Sequence, residues 1–272
     1  MKSDIKVSII LPTLNEKKNL EILIPSIVSE FNELEIQDYE ILVVDDNSTD
    51  GTDIYIKNLS KEYLNLFYFQ RSKEKSLPMS IWDGINVSKY EYVMWLDADG
   101  SMTPKAMVKL MKTLIRFPDS VVIGSRFVKG GGYKGVKDIR KDSIISAIKN
   151  VNKSNDSVTG MIFSIVFNYF LRYLNFGEVK DITSGFIVGK KKYFTIDVFK
   201  KASYGEYFIY LCDYLNKNNV KIHEVGYICE TRINGESKTA SNLKQLILRG
   251  IPYIKAAIIS KKVNYEDLWH QQ

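Results

Sequence analysis

The sequence predicts an α/β protein with a mixed, mainly parallel sheet flanked by helices. Short apolar runs of four or five residues alternate with longer segments whose apolar residues recur at helical spacing. Strands that alternate with helices imply right-handed crossovers, and such crossovers connect parallel strands. With 272 residues, 45% of them apolar and 26% charged, the chain is long and apolar enough to bury a sizeable core.

The first half of the chain gives the clearest element pattern. Residues 7–11 (VSIIL) form a continuous apolar run that ends at Pro12, which is typical of a strand buried on both faces. Helical spacing then covers residues 20–34, with Asn19 as its expected cap. The further expected strands and helices alternate in this order: strand 40–44, helix 52–63, strand 66–69, helix 78–87, strand 92–96, helix 104–117 and strand 121–124.

The second half is less regular. After Arg126 a glycine-rich, basic stretch indicates a mobile loop, followed by an apolar segment at 161–173. A helix is expected at 206–215 and strands within 221–230. From residue 243 an amphipathic pattern predicts C-terminal helices that Gly250 and Pro252 kink or split. We expect one domain over residues 1–240 and an amphipathic helical appendage over 241–272.

Composition narrows the function classes. The two cysteines are far apart and lack metal spacing, so neither a disulfide framework nor a zinc site is expected. The N-terminus does not resemble a secretory signal, and no uncharged run reaches the roughly 20 residues of a membrane span. These features favour a cytoplasmic protein.

The net charge of +6 is unevenly placed. Residues 128–153 carry seven Lys or Arg against two Asp, and residues 232–262 carry seven against one Glu. Such basic segments suggest a phosphate-rich partner, either an anionic lipid, a phosphorylated substrate or a nucleic acid. Nucleic acid is disfavoured because aromatic residues are not interleaved with the basic ones as stacking platforms.

Acidic residues follow three of the expected strands, as Glu16, as Asp45 with Asp46, and as Asp97 with Asp99. In a parallel sheet, ligands bind beyond the carboxyl ends of the strands, so these carboxylates should gather along one edge. Asp97 and Asp99 could share one hard divalent cation with a diphosphate. The alternatives are a solvated turn for these two, and helix capping for Asp46 or Asp50.

A family resemblance emerges from six motifs taken in order: LPTLNE, VVDDNSTDGT, LDADGSMTP, GSRFVKGGG, DITSGF and RINGESK. Together they resemble the family 2 glycosyltransferases of GT-A (Rossmann-like) fold. The set is most similar to the branch of dolichol-phosphate mannose synthases and polyprenyl-phosphate glycosyltransferases. The resemblance covers residues 5 to about 240.

The resemblance implies roles for particular residues. The nucleoside would be held by Pro12, Leu14, Glu16, Val43 and Asp45. Mn²⁺ or Mg²⁺ and the diphosphate would be bound by Asp97, Ala98 and Asp99, with Ser101 as an additional ligand. The donor and acceptor phosphates would be surrounded by Arg126, Arg140, Arg232 and Lys238. Guanidinium groups suit phosphate oxygens, and a leaving diphosphate needs fixed cations.

Three positions depart from the family pattern. Leu14 stands where an aromatic residue is frequent, and residues 76–84 replace a glycine-rich stretch. Tyr210 takes the place of an acidic residue, with Glu206 and Asp213 nearby. These departures leave open whether the donor is a GDP-sugar or a UDP-sugar.

The acceptor is inferred from a missing base. Transfer to a hydroxyl needs a general base, yet the two histidines are His223, on an expected core strand, and His270, near the end of the chain. A phosphate acceptor is already an anion. We therefore expect metal-dependent, inverting transfer to a polyprenyl or dolichyl phosphate, with Asp97, Asp99, Arg126 and Arg140 as the catalytic set. Transfer to a glycan or other hydroxyl remains the alternative.

A lipid acceptor implies a peripheral position on the cytoplasmic face of a membrane. Segments 161–173 and 243–262 could lie on that surface, or be ordinary core. A receiver-like signalling module is a remote alternative, because its acidic pair would follow the first strand rather than the second. A dinucleotide-linked oxidoreductase is disfavoured, since no G-x-G-x-x-G follows the first strand.

Overall fold

The computed structural model describes residues 5–33, 36, 38–133, 136–137, 158–175, 178–234 and 243–263. Most of the expected basic loop lies outside these ranges, as do Arg140, Lys238 and His270. The strands are β1 (Val7–Thr13), β2 (Tyr39–Asp45), β3 (Leu66–Gln70), β4 (Tyr92–Trp95), β5 (Val121–Ser125), β6 (Gly132–Tyr133), β7 (Val136–Lys137), β8 (Ile187–Lys190), β9 (Ile222–Gly226) and β10 (Ile228–Cys229). The α-helices are α1 (Lys17–Glu33), α2 (Thr52–Leu59), α3 (Leu77–Val87), α4 (Pro104–Arg116), α5 (Val158–Asn175), α6 (Ile196–Lys200), α7 (Tyr207–Lys217) and α8 (Leu243–Ser260).

The main sheet has the strand order β3-β2-β1-β4-β8-β5-β9. All neighbouring strands are parallel except β8, which runs antiparallel to both β4 and β5. This confirms the predicted mixed, mainly parallel sheet. The strand β8 is not predicted from the sequence, because its four residues are too few to show a strand period.

Two apolar cores cover the two faces of the sheet. Successive side chains of a strand point to opposite faces, so Ile9 and Leu11 of β1 belong to one core and Ile10 to the other. Helices α1, α2 and α4 pack on the first face, and α3 and α5 to α8 on the second. Because both faces are covered, all seven residues of β1 and of β2 are buried.

The C-terminal helix α8 is part of the second core. Its Ala256 and Ala257 are fully buried, and it packs against α5 and α7. The ammonium group of Lys217 at the end of α7 donates to the carbonyls of Ser260 and Val263, at 2.7 and 2.8 Å. The helix continues through Gly250 and Pro252, so it is not split there. Among the described residues, no helix has both the length and the apolar character to cross a membrane.

Candidate active site

The site lies where the chain order of the strands reverses. From β1 the chain adds β2 and β3 on one side and then β4 on the other, so the crossover loops part beyond β1 and β4. Ligands of open α/β sheets bind at such a switch point. A cavity of about 290 Å³ opens there. Its walls are formed by Pro12, Thr13, Leu14, Glu16, Asp46, Lys75, Ser76, Leu77, Ser80, Asp97, Ala98, Asp99, Ser203, Tyr204 and Arg232.

Asp97 and Asp99 follow β4 and stand on the cavity wall. Asp99 is buried, and its Oδ1 accepts a hydrogen bond from the backbone N–H of Ser101 at 2.9 Å. This turn requires the left-handed backbone of Gly100, whose φ is +79°. Ser101 itself is buried and is not part of the cavity wall.

The paired carboxylates are electrostatically strained. Burial, together with the neighbouring charges of Asp99 and Glu16, raises the pKa of Asp97 to about 7 against the opposing effect of Arg232 and Arg126. Two carboxylates in a partly desolvated site cannot both ionise easily unless positive charge is supplied. The site therefore favours a bound cation.

Arg232 supplies part of that positive charge. Its Nη2 lies 3.2 Å from Oδ2 of Asp99, and its side chain remains 27% exposed. Arg232 lies between the first cavity and a second one of about 680 Å³. It lines both cavities, as do Leu14 and Glu16. A guanidinium in this position faces any anion that enters either cavity.

The segment after β2 is held by buried charges. Asp46 pairs with Arg71, which also contacts Asp83 at 2.8 Å. The other oxygen of Asp46 accepts from the backbone N–H of Ser76 at 2.6 Å, just before α3. Asp46 thus fixes the loop that carries Lys75 and Ser76 into the cavity, and it does not cap α2.

Asp50 makes the helix-terminal contacts instead. Its carboxylate accepts from the backbone N–H of Thr52, the first residue of α2, at 3.2 Å, and from that of Lys17, the first residue of α1, at 3.0 Å. Although burial opposes the shift, these hydrogen bonds lower the pKa of Asp50. One carboxylate therefore accepts a hydrogen bond from the first backbone N–H of each helix.

Two residues expected to hold the nucleoside do not line the cavity. Val43 is fully buried in the first core. Asp45 is buried as well, and its oxygens accept from the hydroxyls of Ser48 and Tyr68, at 2.5 and 2.6 Å. Asp45 thus shapes the turn after β2. By contrast, Pro12, Leu14, Glu16 and Ala98 all lie on the cavity wall.

Arg126 is engaged within the protein. Its Nε and Nη2 donate to the two oxygens of Asp181, at 2.8 and 2.7 Å, and Nη2 also donates to Thr183 at 2.8 Å. Although burial opposes it, this pairing raises the pKa of the guanidinium. Arg126 does not line the first cavity, but its charge acts on Asp97.

Several wall residues were not identified from the sequence. Lys75 and Ser76 immediately precede α3, and Leu77 and Ser80 lie in its first turn. A signal for them existed, since they follow β3, whose carboxyl end lies at the same edge of the sheet. Ser203 and Tyr204 precede α7, and no sequence signal pointed to them. Their loop is folded by Glu206, which accepts from the backbone N–H groups of Ser203 and Tyr204.

Comparisons with known proteins agree with this architecture. The model of the family described as glycosyl transferase family 2 matches residues 8–196. A crystal structure of glucosyl-3-phosphoglycerate synthase from Mycobacterium tuberculosis, in complex with Mn²⁺, UDP and glucosyl-3-phosphoglycerate, superposes with a TM-score of 0.64 at 16% identity. The match covers 96% of this chain and 81% of that one, which confirms the predicted GT-A fold.

Relatives matched by sequence cover less. A dolichol-phosphate mannosyltransferase of Pyrococcus furiosus is 39% identical over 126 residues, 46% of this chain and 34% of that protein. The dolichol-phosphate mannosyltransferase of Saccharomyces cerevisiae is 27% identical over 128 residues, 47% of each chain. The poly(ribitol-phosphate) beta-N-acetylglucosaminyltransferase TarP of Staphylococcus aureus is 25% identical over 228 residues, 80% of this chain and 67% of that protein.

The matches to the two dolichol-phosphate mannosyltransferases thus span only about a third and a half of the relatives' own lengths. The family match, however, extends over more than half of this chain, from β1 to the start of α6. It includes the segments after β1, β2, β3 and β4 that line the cavity, whereas the wall residues Ser203, Tyr204 and Arg232 lie beyond it. The chain therefore belongs to glycosyl transferase family 2.

Proposed function

We propose that this chain transfers a sugar, with inversion, from a GDP- or UDP-sugar to a polyprenyl or dolichyl phosphate. The observation that carries the proposal is the pair Asp97 and Asp99 beside Arg232, on the wall of a cavity at the switch point of the sheet. Carboxylates that hold a cation and a guanidinium that faces an anion together suit a nucleoside diphosphate leaving group.

Asp97 and Asp99 fit a divalent cation, Mn²⁺ or Mg²⁺. Carboxylate oxygens are hard ligands, and the raised pKa of Asp97 reflects burial together with negative charge that a cation would offset. Within the described ranges, no three His, Cys, Asp or Glu side chains converge on one point as metal ligands. The donor diphosphate and water would complete the shell. A cation bound there would stabilise the charge that develops on the departing diphosphate.

The chain's own residues would act as follows. Pro12, Leu14 and Glu16 would contact the nucleoside, and Arg232 the diphosphate. An oxygen of the acceptor phosphate attacks the anomeric carbon, the bond from that carbon to the diphosphate oxygen breaks, and the nucleoside diphosphate leaves with the electron pair. Arg126 would add positive charge near Asp97 from outside the first cavity. By resemblance alone, Arg140 and Lys238 would contact the donor and acceptor phosphates.

The state of the carboxylates supports a phosphate acceptor. Glu16 accepts from Asn19 at 2.5 Å, Asp46 pairs with Arg71, and Asp99 pairs with Arg232. His223 stacks on Phe117 at 4.2 Å, on the far strand β9, and burial lowers its pKa. These carboxylates are engaged in contacts within the protein and His223 does not line the first cavity, whereas a phosphate needs no base.

An apolar surface supports a lipid acceptor and a peripheral contact with the cytoplasmic face of a membrane. Helices α5 and α8 pack together and leave large apolar side chains exposed on both. The exposed residues are Val166, Tyr169, Phe170 and Tyr173 on α5 and Leu248, Ile251, Ile258 and Ile259 on α8. Exposed Lys255 and Lys262 near them would face anionic headgroups.

Transfer to a hydroxyl is the second candidate, supported by the match to TarP over 80% of the chain. A single assay separates the two. Purified protein is incubated with Mn²⁺ or Mg²⁺, each of a panel of GDP- and UDP-sugars, and either a polyprenyl phosphate or a polyol-phosphate acceptor. The proposal predicts a lipid product that releases its sugar in mild acid. Transfer confined to the polyol would overturn it.

A further inference from the structure

Residues 230–234, which follow β10 and which we call the strap, lie across the turn that carries Asp97 and Asp99. The backbone N–H of Glu230 donates to the carbonyl of Ser101 at 3.0 Å, and that of Ile233 to the carbonyl of Asp99 at 3.1 Å. The side chain of Ile233 rests on Gly100, where an added Cβ would lie only 2.4 Å from its Cδ1. The strap also carries Arg232.

The far end of the strap is held by Asn19, from the first turn of α1. Its Oδ1 accepts from the backbone N–H of Asn234 at 2.8 Å, and its Nδ2 donates to the carbonyl of Asn234 at 3.3 Å. The same Nδ2 donates to Glu16 at 2.5 Å. Asn19 is 3% exposed and lies within α1, so the prediction that it caps this helix is wrong.

We propose that Asn19 is a positioning residue that fixes Arg232 between the two cavities by anchoring the strap to α1. Asn234 is two residues beyond Arg232, so the anchor limits how far the guanidinium can move from Asp99. The other end of the strap is already fixed on the turn at Ser101. The role of Arg232 toward the donor diphosphate rests on the function proposed above; the anchoring itself does not.

The chemistry of the position requires an amide. Asn19 donates and accepts at once, and an amide side chain offers separate oxygen and nitrogen atoms for the N–H and the C=O of Asn234. Alanine would leave the N–H of Asn234 without its side-chain acceptor, and aspartate would place a second carboxylate against Glu16. The helix itself should persist, because Leu20, Leu23 and Ile24 keep it in the first core.

Hydrogen exchange tests the anchor without any assay of activity. In Asn19→Ala, the rate of amide exchange in a peptide covering residues 230–234 should rise at least about tenfold, because local opening of the strap requires less free energy. Asn218→Ala is the matched control: it removes an amide that donates to the carbonyl of Tyr214 at 2.8 Å, at the opposite end of α7 from the cavity. Unchanged exchange of the strap in Asn19→Ala would overturn the proposal.

A double-mutant cycle tests whether Asn19 acts through Arg232. Asn19→Ala should lower kcat/KM for the donor about 10- to 100-fold, as does loss of other supporting side chains. In an Arg232→Ala background the same change should cost less than about threefold. Losses that multiply would show that Asn19 acts independently, against the proposal. A wild-type enzyme inactive toward polyprenyl phosphates would refute the proposed function, while the exchange result would still decide on the anchor.

Discussion

Arg126 and Arg232 were both expected to bind phosphate, yet the structure places them in opposite situations. The side chain of Arg126 is 10% exposed and gives two N–H groups to Asp181 and one to Thr183. The side chain of Arg232 is 27% exposed, makes a 3.2 Å contact with Asp99 and lines two cavities. A residue type indicates which partners are suitable, and the fold decides which partner is reached.

The difference follows from Asp181, which is fully buried. A buried carboxylate must be paired and hydrogen-bonded, and a guanidinium fork is the group best shaped to do so. Arg126 thereby joins the end of β5 to the DITSGF segment that leads into β8. Arg126 acts on the site through the effect of its charge on Asp97, whereas Arg232 lines both cavities directly.

The largest effect that separates the two regions is on stability. Arg126→Ala would leave Asp181 buried and unpaired, so we expect the free energy of unfolding to fall by about 3–5 kcal/mol. Urea denaturation followed by circular dichroism measures this. Arg116→Ala, at the exposed end of α4, serves as the control and should change stability by less than about 0.5 kcal/mol. If Arg126→Ala lowered the free energy of unfolding by less than about 1 kcal/mol, the contrast drawn between Arg126 and Arg232 would be wrong.

At the cation site we expect the opposite result, a large loss of activity without a loss of stability. Asp97→Asn removes one ligand and one of two repelling charges, so transfer should fall about 10²- to 10³-fold while the thermal midpoint stays constant or rises. Steady-state kinetics over a Mn²⁺ series and differential scanning calorimetry give the two quantities. Retained activity at all Mn²⁺ concentrations would argue against a metal on Asp97.

A smaller effect probes the shape of the exposed guanidinium. Arg232→Lys keeps the charge and loses the planar fork, so we expect KM for the donor to rise about tenfold with unfolding stability unchanged within about 1 kcal/mol. The same change at Arg126 should cost far more stability, since lysine cannot bind both oxygens of Asp181. Equal stability losses at the two positions would contradict the comparison.

The smallest expected effect concerns the turn beneath the strap. Gly100→Ala puts a side chain at φ +79° and against Ile233, which we expect to destabilise the protein by about 1–2 kcal/mol and to displace the strap. Thermal unfolding together with hydrogen exchange of residues 230–234 measures both. Gly130→Ala has a similar φ and no atom within 4 Å of the added Cβ, so it should show the backbone strain without displacement of the strap.

The sequence by itself determined the alternation of strands and helices and the place of the carboxylates. Continuous apolar runs indicate strands that are buried on both faces of the sheet. The carboxyl ends of parallel strands share one edge of the sheet, so the side chains of Glu16, Asp46, Asp97 and Asp99 line the same cavity. That inference needs only local pattern and the handedness of crossovers.

Only the tertiary structure decided the pairings between distant segments. Arg126 meets Asp181 across 55 residues, and Asn19 meets Asn234 across 215. The strand β8 enters the sheet antiparallel between β4 and β5, where its short sequence carries no directional signal. Such contacts depend on how whole elements pack, because each partner's sequence is compatible with many neighbours and the shared core selects one.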